Sequence, residues 1–191
     1  YSAFFSKFDR DIVKAVYIDP DEQLHMAVSA AFPEAKIMVS DECIQRYARE
    51  AFQEVIRKDG RRCSIPHRHH LLTMPESYLS SFNHNRVTNG LRNRSRLRGT
   101  YNAYQDLLKQ MEDTWDINCI SEWLAGLPKN LSNEVKDDEE LEELWEFEIL
   151  RDVIEIYNEQ IQLYLDEKDK LPATVASSVK GIIDALNAMP Y

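Results

Sequence analysis

The sequence predicts an α+β protein that is mostly helical: a strand–helix–strand–helix unit followed by an all-helical segment. Three observations carry this. Two strand-like runs, 13–18 and 36–40, lie near the start, and after Gly60 the β signal disappears. From there on, apolar residues recur at helical spacing. Only 5 glycines and 7 prolines in 191 residues argue against a many-turned β-sandwich.

Residues 1–10 suit a short amphipathic helix. Residues 13–18 read as a strand, since Val16, Tyr17 and Ile18 are β-branched or aromatic. Residues 21–32 read as a helix, with Leu24, Ala27, Val28 and Ala31 on one face, ended by Pro33. Residues 36–40 (KIMVS) form a second short strand. Residues 41–58 form a second helix with Ile44, Tyr47, Ala48, Ala51, Phe52 and Val55 inward, stopped by Gly60. Two strands joined by a helix are expected to run parallel through a right-handed crossover. Two strands alone make a poor sheet, so further strands are expected from chain preceding Tyr1.

Residues 61–75 read as an irregular basic segment, 75–82 as a short helix, and 83–93 as an exposed loop rich in Asn, Arg and Gly. A helix is expected over 95–111, with Leu97, Tyr101, Tyr104, Leu107, Leu108 and Met111 inward. A short one bearing Trp123 follows over 118–127. A long helix is expected over 138–168, its buried stripe formed by Leu141, Leu144, Trp145, Ile149, Val153, Ile156, Ile161 and Leu165. The last helix covers 172–189. The tryptophans at 115, 123 and 145 read as packing.

The apolar fraction of 43% supports a packed core. No apolar run spans a bilayer and no signal peptide is visible. Cys43, Cys63 and Cys119 are widely spaced, fit no zinc pattern, and suggest a reducing, cytoplasmic setting. The net charge of −10 hides a division. Residues 57–98 carry 10 basic against 2 acidic side chains, whereas 134–169 carry 15 acidic against 3 basic. The chain as a whole argues against nucleic acid, but the basic block permits it locally.

Asp19 carries two readings. Followed by Pro20 and Glu22, it makes a good helix-start signature, its carboxylate accepting orphan N–H groups. It also sits where a parallel strand ends, the place where α/β folds put their chemistry. A two-metal phosphoryl-transfer site needs several carboxylates there. Asp41, after the second strand and beside Ser40, repeats the pattern, with Ser40 or Asp41 as cap. If the strands are neighbours, Asp19 and Asp41 approach one edge. The HRHH run at 67–70 lacks a cysteine or acid pair at ligand spacing, so a basic loop touching phosphate, or merely solvated, fits it better than a metal site. The arginines at 57, 61, 62, 68, 92, 94, 96 and 98, with Arg86 and interleaved asparagines, could grip a phosphate backbone or form a solvated face. No glycine-rich phosphate loop or nucleophile elbow is present.

The order of these pieces resembles the ISL-three group of DDE-type bacterial insertion-sequence transposases. AVYIDPDEQLHMAVSAAFPEAKIMVSDECIQRYAREAFQEV looks like that family's strand ending in its second catalytic Asp, a helix, a strand, and an Asp opening a helix. HRHHLLTMPESYLSSF and LRGTYNAYQDLLKQME look like the segment and helix that follow, and GIIDALNAMPY like the closing helix before the catalytic Glu. Family members usually show Asp-Arg-Phe-His after the second strand; here it is Asp41-Glu42-Cys43-Ile44.

The resemblance implies a partial RNase H-like core over 1–59 and a helical insertion over 60–191. It implies Asp19 as a catalytic, metal-binding carboxylate, with the first Asp before Tyr1 and the Glu after Tyr191. Mg²⁺ or Mn²⁺ is then expected in the full-length protein, with none bound by the fragment, which is expected to be inactive alone. The implied partner is DNA, held weakly through the 57–98 block, with self-association left open and no membrane partner. The rival reading is a non-enzymatic helical module that binds a protein.

Overall fold

The computed structural model describes residues 2–59, 70–113, 116–132 and 145–170. The expected closing helix over 172–189, with Trp115, Leu141 and Leu144, lies outside them. The described elements run α1 (Ser2–Phe5), β1 (Ala15–Tyr17), α2 (Glu22–Ala31), β2 (Lys36–Met38), α3 (Asp41–Asp59), α4 (His70–Thr73), α5 (Ser81–Leu91), α6 (Ser95–Asp113), α7 (Ile117–Ser132), α8 (Glu148–Ile156) and α9 (Asn158–Glu167). The fold is mostly helical with a two-stranded sheet, as the sequence predicts. The strands are parallel, with Ala15 opposite Lys36, Val16 opposite Ile37 and Tyr17 opposite Met38. The pairing extends one residue further, Ile18 N–H donating to Met38 O at 3.0 Å.

Helix α3 is the axis of the core. Its seven buried residues, from Cys43 to Ile56, recur at helical spacing. They meet α6 on one side, where Phe52 stacks on Tyr104 with centroids 4.8 Å apart, and α8 on the other. One continuous apolar cluster runs from Ile18 through Phe52, Leu107 and Trp123 to Ile161. Helix α9 closes the β2 side: Val39 N–H donates to Gln160 O at 3.2 Å, and Lys36 Nζ reaches Glu167 Oε1 at 2.9 Å. On the β1 side, Phe4, Phe5, Val16, Tyr17 and Leu24 line an open groove of about 370 Å³.

Four expectations are corrected. First, residues 83–93 are not a loop. Ser80 caps α5, its Oγ accepting from Asn83 N–H at 3.4 Å, and Val87 and Leu91, four apart, are buried. That one apolar pair and a cap outweigh the weak helix propensity of the asparagines. Second, the short helix expected over 75–82 is only a 3₁₀ turn, Glu76–Tyr78, and α5 then starts afresh at Ser81. Third, the long helix breaks at Tyr157, whose backbone (φ −105°, ψ 21°) separates α8 from α9. The break rotates the buried face: Leu150, Val153, Ile154, Tyr157 and Ile161 are inside, while Ile149 and Ile156 are 64% and 71% exposed. Fourth, Trp145 is not core. It is half-exposed and packs under the Lys58 ammonium, 3.0 Å from its ring centroid, a cation–π contact. Trp123 is buried as expected, its indole N–H donating to Ala103 O at 2.8 Å.

Candidate functional site

The parallel pairing brings the ends of β1 and β2 together, and α3 starts directly after β2. Residues one turn into α3 therefore face the residue just past Ile18, where the strand pairing ends. Asp19 is that residue, its side chain 61% exposed. It is not the helix cap. That role belongs to Asp21, whose Oδ1 accepts from Leu24 N–H at 2.6 Å from an extended backbone (φ −150°, ψ 121°). The start of α2 is thus two residues later than the Asp-Pro-x-Glu pattern suggests, because Asp21 reaches the N–H of its own third residue, as a cap must.

Freed from capping, Asp19 turns to α3. Arg46 Nη2 donates to Asp19 Oδ1 at 2.9 Å, and Nη1 donates to Oδ2 at 3.3 Å. This is a two-point guanidinium–carboxylate pair. The Cys43 thiol donates to the same Oδ1 at 3.6 Å, and Arg46 Nη2 lies 3.5 Å from Cys43 Sγ. Burial pushes the Cys43 thiol up to about 12, Asp19 adding to the rise and Arg46 opposing it. The sulfur is therefore a neutral donor at neutral pH. Arg46 Nε is buried without a hydrogen-bond partner.

Asp41 behaves differently. Its Oδ1 accepts from Glu42 N–H at 2.8 Å and from the Tyr164 hydroxyl at 2.8 Å. Tyr164 lies edge-on to Tyr17 of β1, with centroids 5.9 Å apart. Burial raises the Tyr164 phenol, and its hydrogen bond to Asp41 adds to this. Ser40 Oγ accepts from Cys43 N–H at 3.3 Å, so of the two caps read from sequence, Ser40 or Asp41, it is Ser40 that caps α3. Asp41 is a tie between α3 and α9. Ile44, where the resembling family's motif has a histidine, is fully buried.

Among the described residues, no group of three or more His, Cys, Asp or Glu side chains could hold a metal ion. Asp19 is a single carboxylate already closed by a guanidinium. As they stand, the described residues do not fit a divalent cation, which takes six or more oxygens and several carboxylates in a two-metal site.

The arginines scatter by role. Arg57 grips Glu54 through Nε and Nη2 at 2.7 and 2.6 Å. Arg92 donates to Asn89 Oδ1 at 3.0 Å, Arg94 to Asp59 O at 3.0 Å, and Arg98 to Arg92 O at 3.0 Å. Arg96 is turned inward, donating to Asp59 Oδ2 at 2.6 Å and to Glu146 at 3.0 and 3.2 Å. Glu146, from the acidic half of the chain, is buried there and also meets Lys58 at 3.3 Å. Arg61, Arg62 and Arg68 lie outside the described residues, as do all but the last of the 67–70 run; His70 is exposed at the start of α4.

Sequence reading missed Arg46, Cys43 and Tyr164. Cys43 and Arg46 are three apart on α3, so one helical turn aligns them; only the strand pairing tells which carboxylate they meet. Tyr164 is 123 residues from Asp41 and has no local signal.

An acidic side chain at the carboxyl end of a parallel strand, on a strand–helix–strand–helix unit wrapped by helices, defines an α+β protein with its candidate chemistry at the strand ends. The transposase family DDE_Tnp_ISL3 matches residues 1–170, and the chain belongs to that family. No curated protein and no solved structure gives a significant match.

Proposed function

We propose that this chain is the central part of a DDE-type DNA transposase, with residues 1–59 contributing to an RNase H-like core and 60–191 forming a helical insertion. Asp19 is the family's second catalytic carboxylate in this reading. The observation that carries it is the placement of Asp19. It follows β1, is exposed, and is not needed to cap α2, because Asp21 does that. Membership of a transposase family supplies the chemistry to which such a carboxylate belongs.

In the whole protein, DNA strand cleavage and transfer use Mg²⁺ or Mn²⁺ held by several carboxylates. The described residues offer Asp19, so the others come from parts of the protein outside them. The chain's own contribution is to fix Asp19 at the strand end, with β2 and α3 as its scaffold. Further strands of the core add on the β1 side, beside the groove lined by Phe4, Val16 and Tyr17. DNA contacts the basic 57–98 block, and the protein works in the cytoplasm. Among the described residues no helix is long and apolar enough to cross a membrane.

The test compares two neighbouring carboxylates in the complete transposase, in an excision assay. Asp19→Asn is expected to abolish excision. Asp21→Asn, which keeps a good cap, is expected to leave it near the parent level. Excision by the Asp19→Asn protein overturns the assignment. Residues 1–191 alone, incubated with DNA and Mg²⁺ or Mn²⁺, are expected to leave the DNA intact.

A further inference from the structure

Among the described residues, helix α5 has an outward face with a distinctive chemistry. Its buried side is Val87 and Leu91. Opposite them, Phe82, Asn85, Asn89 and Arg92 fall at spacings of three and four and are all exposed, Phe82 at 68%. Residues 77–105 contain no Asp or Glu, in a chain with 33 of them, and hold five arginines. A carboxylate that meets the helix is Glu76, 3.4 Å from His84 and accepting from the Tyr101 hydroxyl at 3.3 Å. His84 lies on the flank, away from the Phe82–Asn89 line.

The side chains on this line are pre-arranged. Arg92 Nη2 donates to Asn89 Oδ1 at 3.0 Å, which ties the two exposed side chains together. The Arg86 guanidinium lies 5.5 Å from the Phe82 ring centroid, a second cation held beside the row.

We infer that α5 enters the major groove of duplex DNA, with Asn85 and Asn89 reading base edges and Arg86 and Arg92 holding the flanking phosphates. The inference rests on the proposed DNA-directed function and deepens it. A helix is about 10–12 Å across and the groove about 12 Å wide. An asparagine amide is both donor and acceptor, the pattern that pairs with the N6 and N7 of adenine, and an apolar side chain such as Phe82 can meet a thymine methyl. The absence of carboxylates over 29 residues removes the repulsion that the rest of this acidic chain presents to a polyanion.

The experiment is a selection from a randomised duplex library, using the full chain and an Asn85→Ala/Asn89→Ala variant. Both positions are exposed on a helix, where alanine favours folding, and thermal melting verifies this. The parent is expected to enrich a defined sequence. The variant is expected to bind that sequence on the order of tenfold more weakly, while its binding to unselected duplex and its salt dependence stay within about twofold, since phosphate contacts carry that term. Phe82→Ala gives a second reading at the same groove positions. If the parent binds DNA but enriches no sequence, or the variant enriches the same one, the α5 inference falls and the basic-block reading stands. If the parent binds no duplex at low salt, both fall.

Discussion

Arg46 holds Asp19 at two points, Nη2 to Oδ1 at 2.9 Å and Nη1 to Oδ2 at 3.3 Å. Both carboxylate oxygens at the end of β1 are therefore occupied by a cation that belongs to the protein. The pair is open to solvent, with side-chain exposures of 42% and 61%. An ion pair this exposed contributes little to folding, about 0–1 kcal/mol. Its larger consequence is for what else can bind Asp19.

Replacing Arg46 by Met removes the guanidinium and keeps much of the apolar stem. We expect urea unfolding to show a loss below about 1 kcal/mol. At the same time the freed carboxylate becomes accessible to a cation. Titration of Mn²⁺ into ¹⁵N-labelled protein should then broaden the amide signals around residues 18–20 more strongly in the Arg46→Met protein than in the parent. Equal broadening in the two proteins would show that Arg46 does not compete for Asp19.

Capping separates Asp19 from Asp21 by a measurement independent of activity. Asp21→Ala deprives Leu24 N–H of its 2.6 Å acceptor and is expected to cost about 1 kcal/mol. Asp19→Ala loses an exposed ion pair and the weak 3.6 Å contact from the Cys43 thiol, and should cost less. Denaturant midpoints of the two variants give the answer, and a larger loss for Asp19→Ala would reverse the assignment of the cap.

The contrast between these two residues shows what was legible in the sequence. The strand–helix–strand–helix order and the apolar face of α3 follow from local periodicity, and the parallel pairing from the crossover rule; all are present. The cap could not be fixed, because Asp19 and Asp21 flank the same proline, and both offer a carboxylate near a helix start. In the structure Asp21 reaches the Leu24 N–H as a cap must, while Asp19 is turned to Arg46, 27 residues on, which it meets only after β1 and β2 pair. Asparagines made α5 look like a loop, because their propensity is weak and its buried side is only Val87 and Leu91. The 134–169 segment read only as a net negative charge, yet one of its members, Glu146, is buried between Arg96 and Lys58. Charge runs give a net sign, not the one residue that tertiary packing turns inward.

Glu146 joins the end of α3 to the start of α6. Its side chain is fully buried and accepts from Arg96 at 3.0 and 3.2 Å and from Lys58 at 3.3 Å. Glu146→Leu leaves Arg96, only 15% exposed, with Asp59 as its remaining carboxylate. We expect a loss of about 3 kcal/mol, the usual result of breaking one side of a buried pair. The double variant Glu146→Leu/Arg96→Met should recover part of this, since the charges that lose a partner, Lys58 and Asp59, both reach solvent. Chemical denaturation of the two proteins measures the difference; a single variant as stable as the parent would make the network dispensable.

Cys43 gives a pH dependence with a definite sign. Its thiol is shifted from 9.0 to about 12, chiefly by burial. The folded protein therefore holds this proton more tightly than the unfolded chain does. Below pH 9 both states keep it and the advantage is fully present. As pH rises from about 9 towards 12, only the unfolded chain releases the proton, and stability falls. Cys43→Ala should flatten this part of the stability profile. The same shift predicts kinetics: the thiolate is the reactive form, so iodoacetamide should label Cys43 far more slowly than the partly exposed Cys119 at pH 8. Mass spectrometry of peptides after timed alkylation resolves the two sites. Equal labelling rates would mean that the Cys43 sulfur is neither as buried nor as firmly protonated as its contact with Asp19 requires.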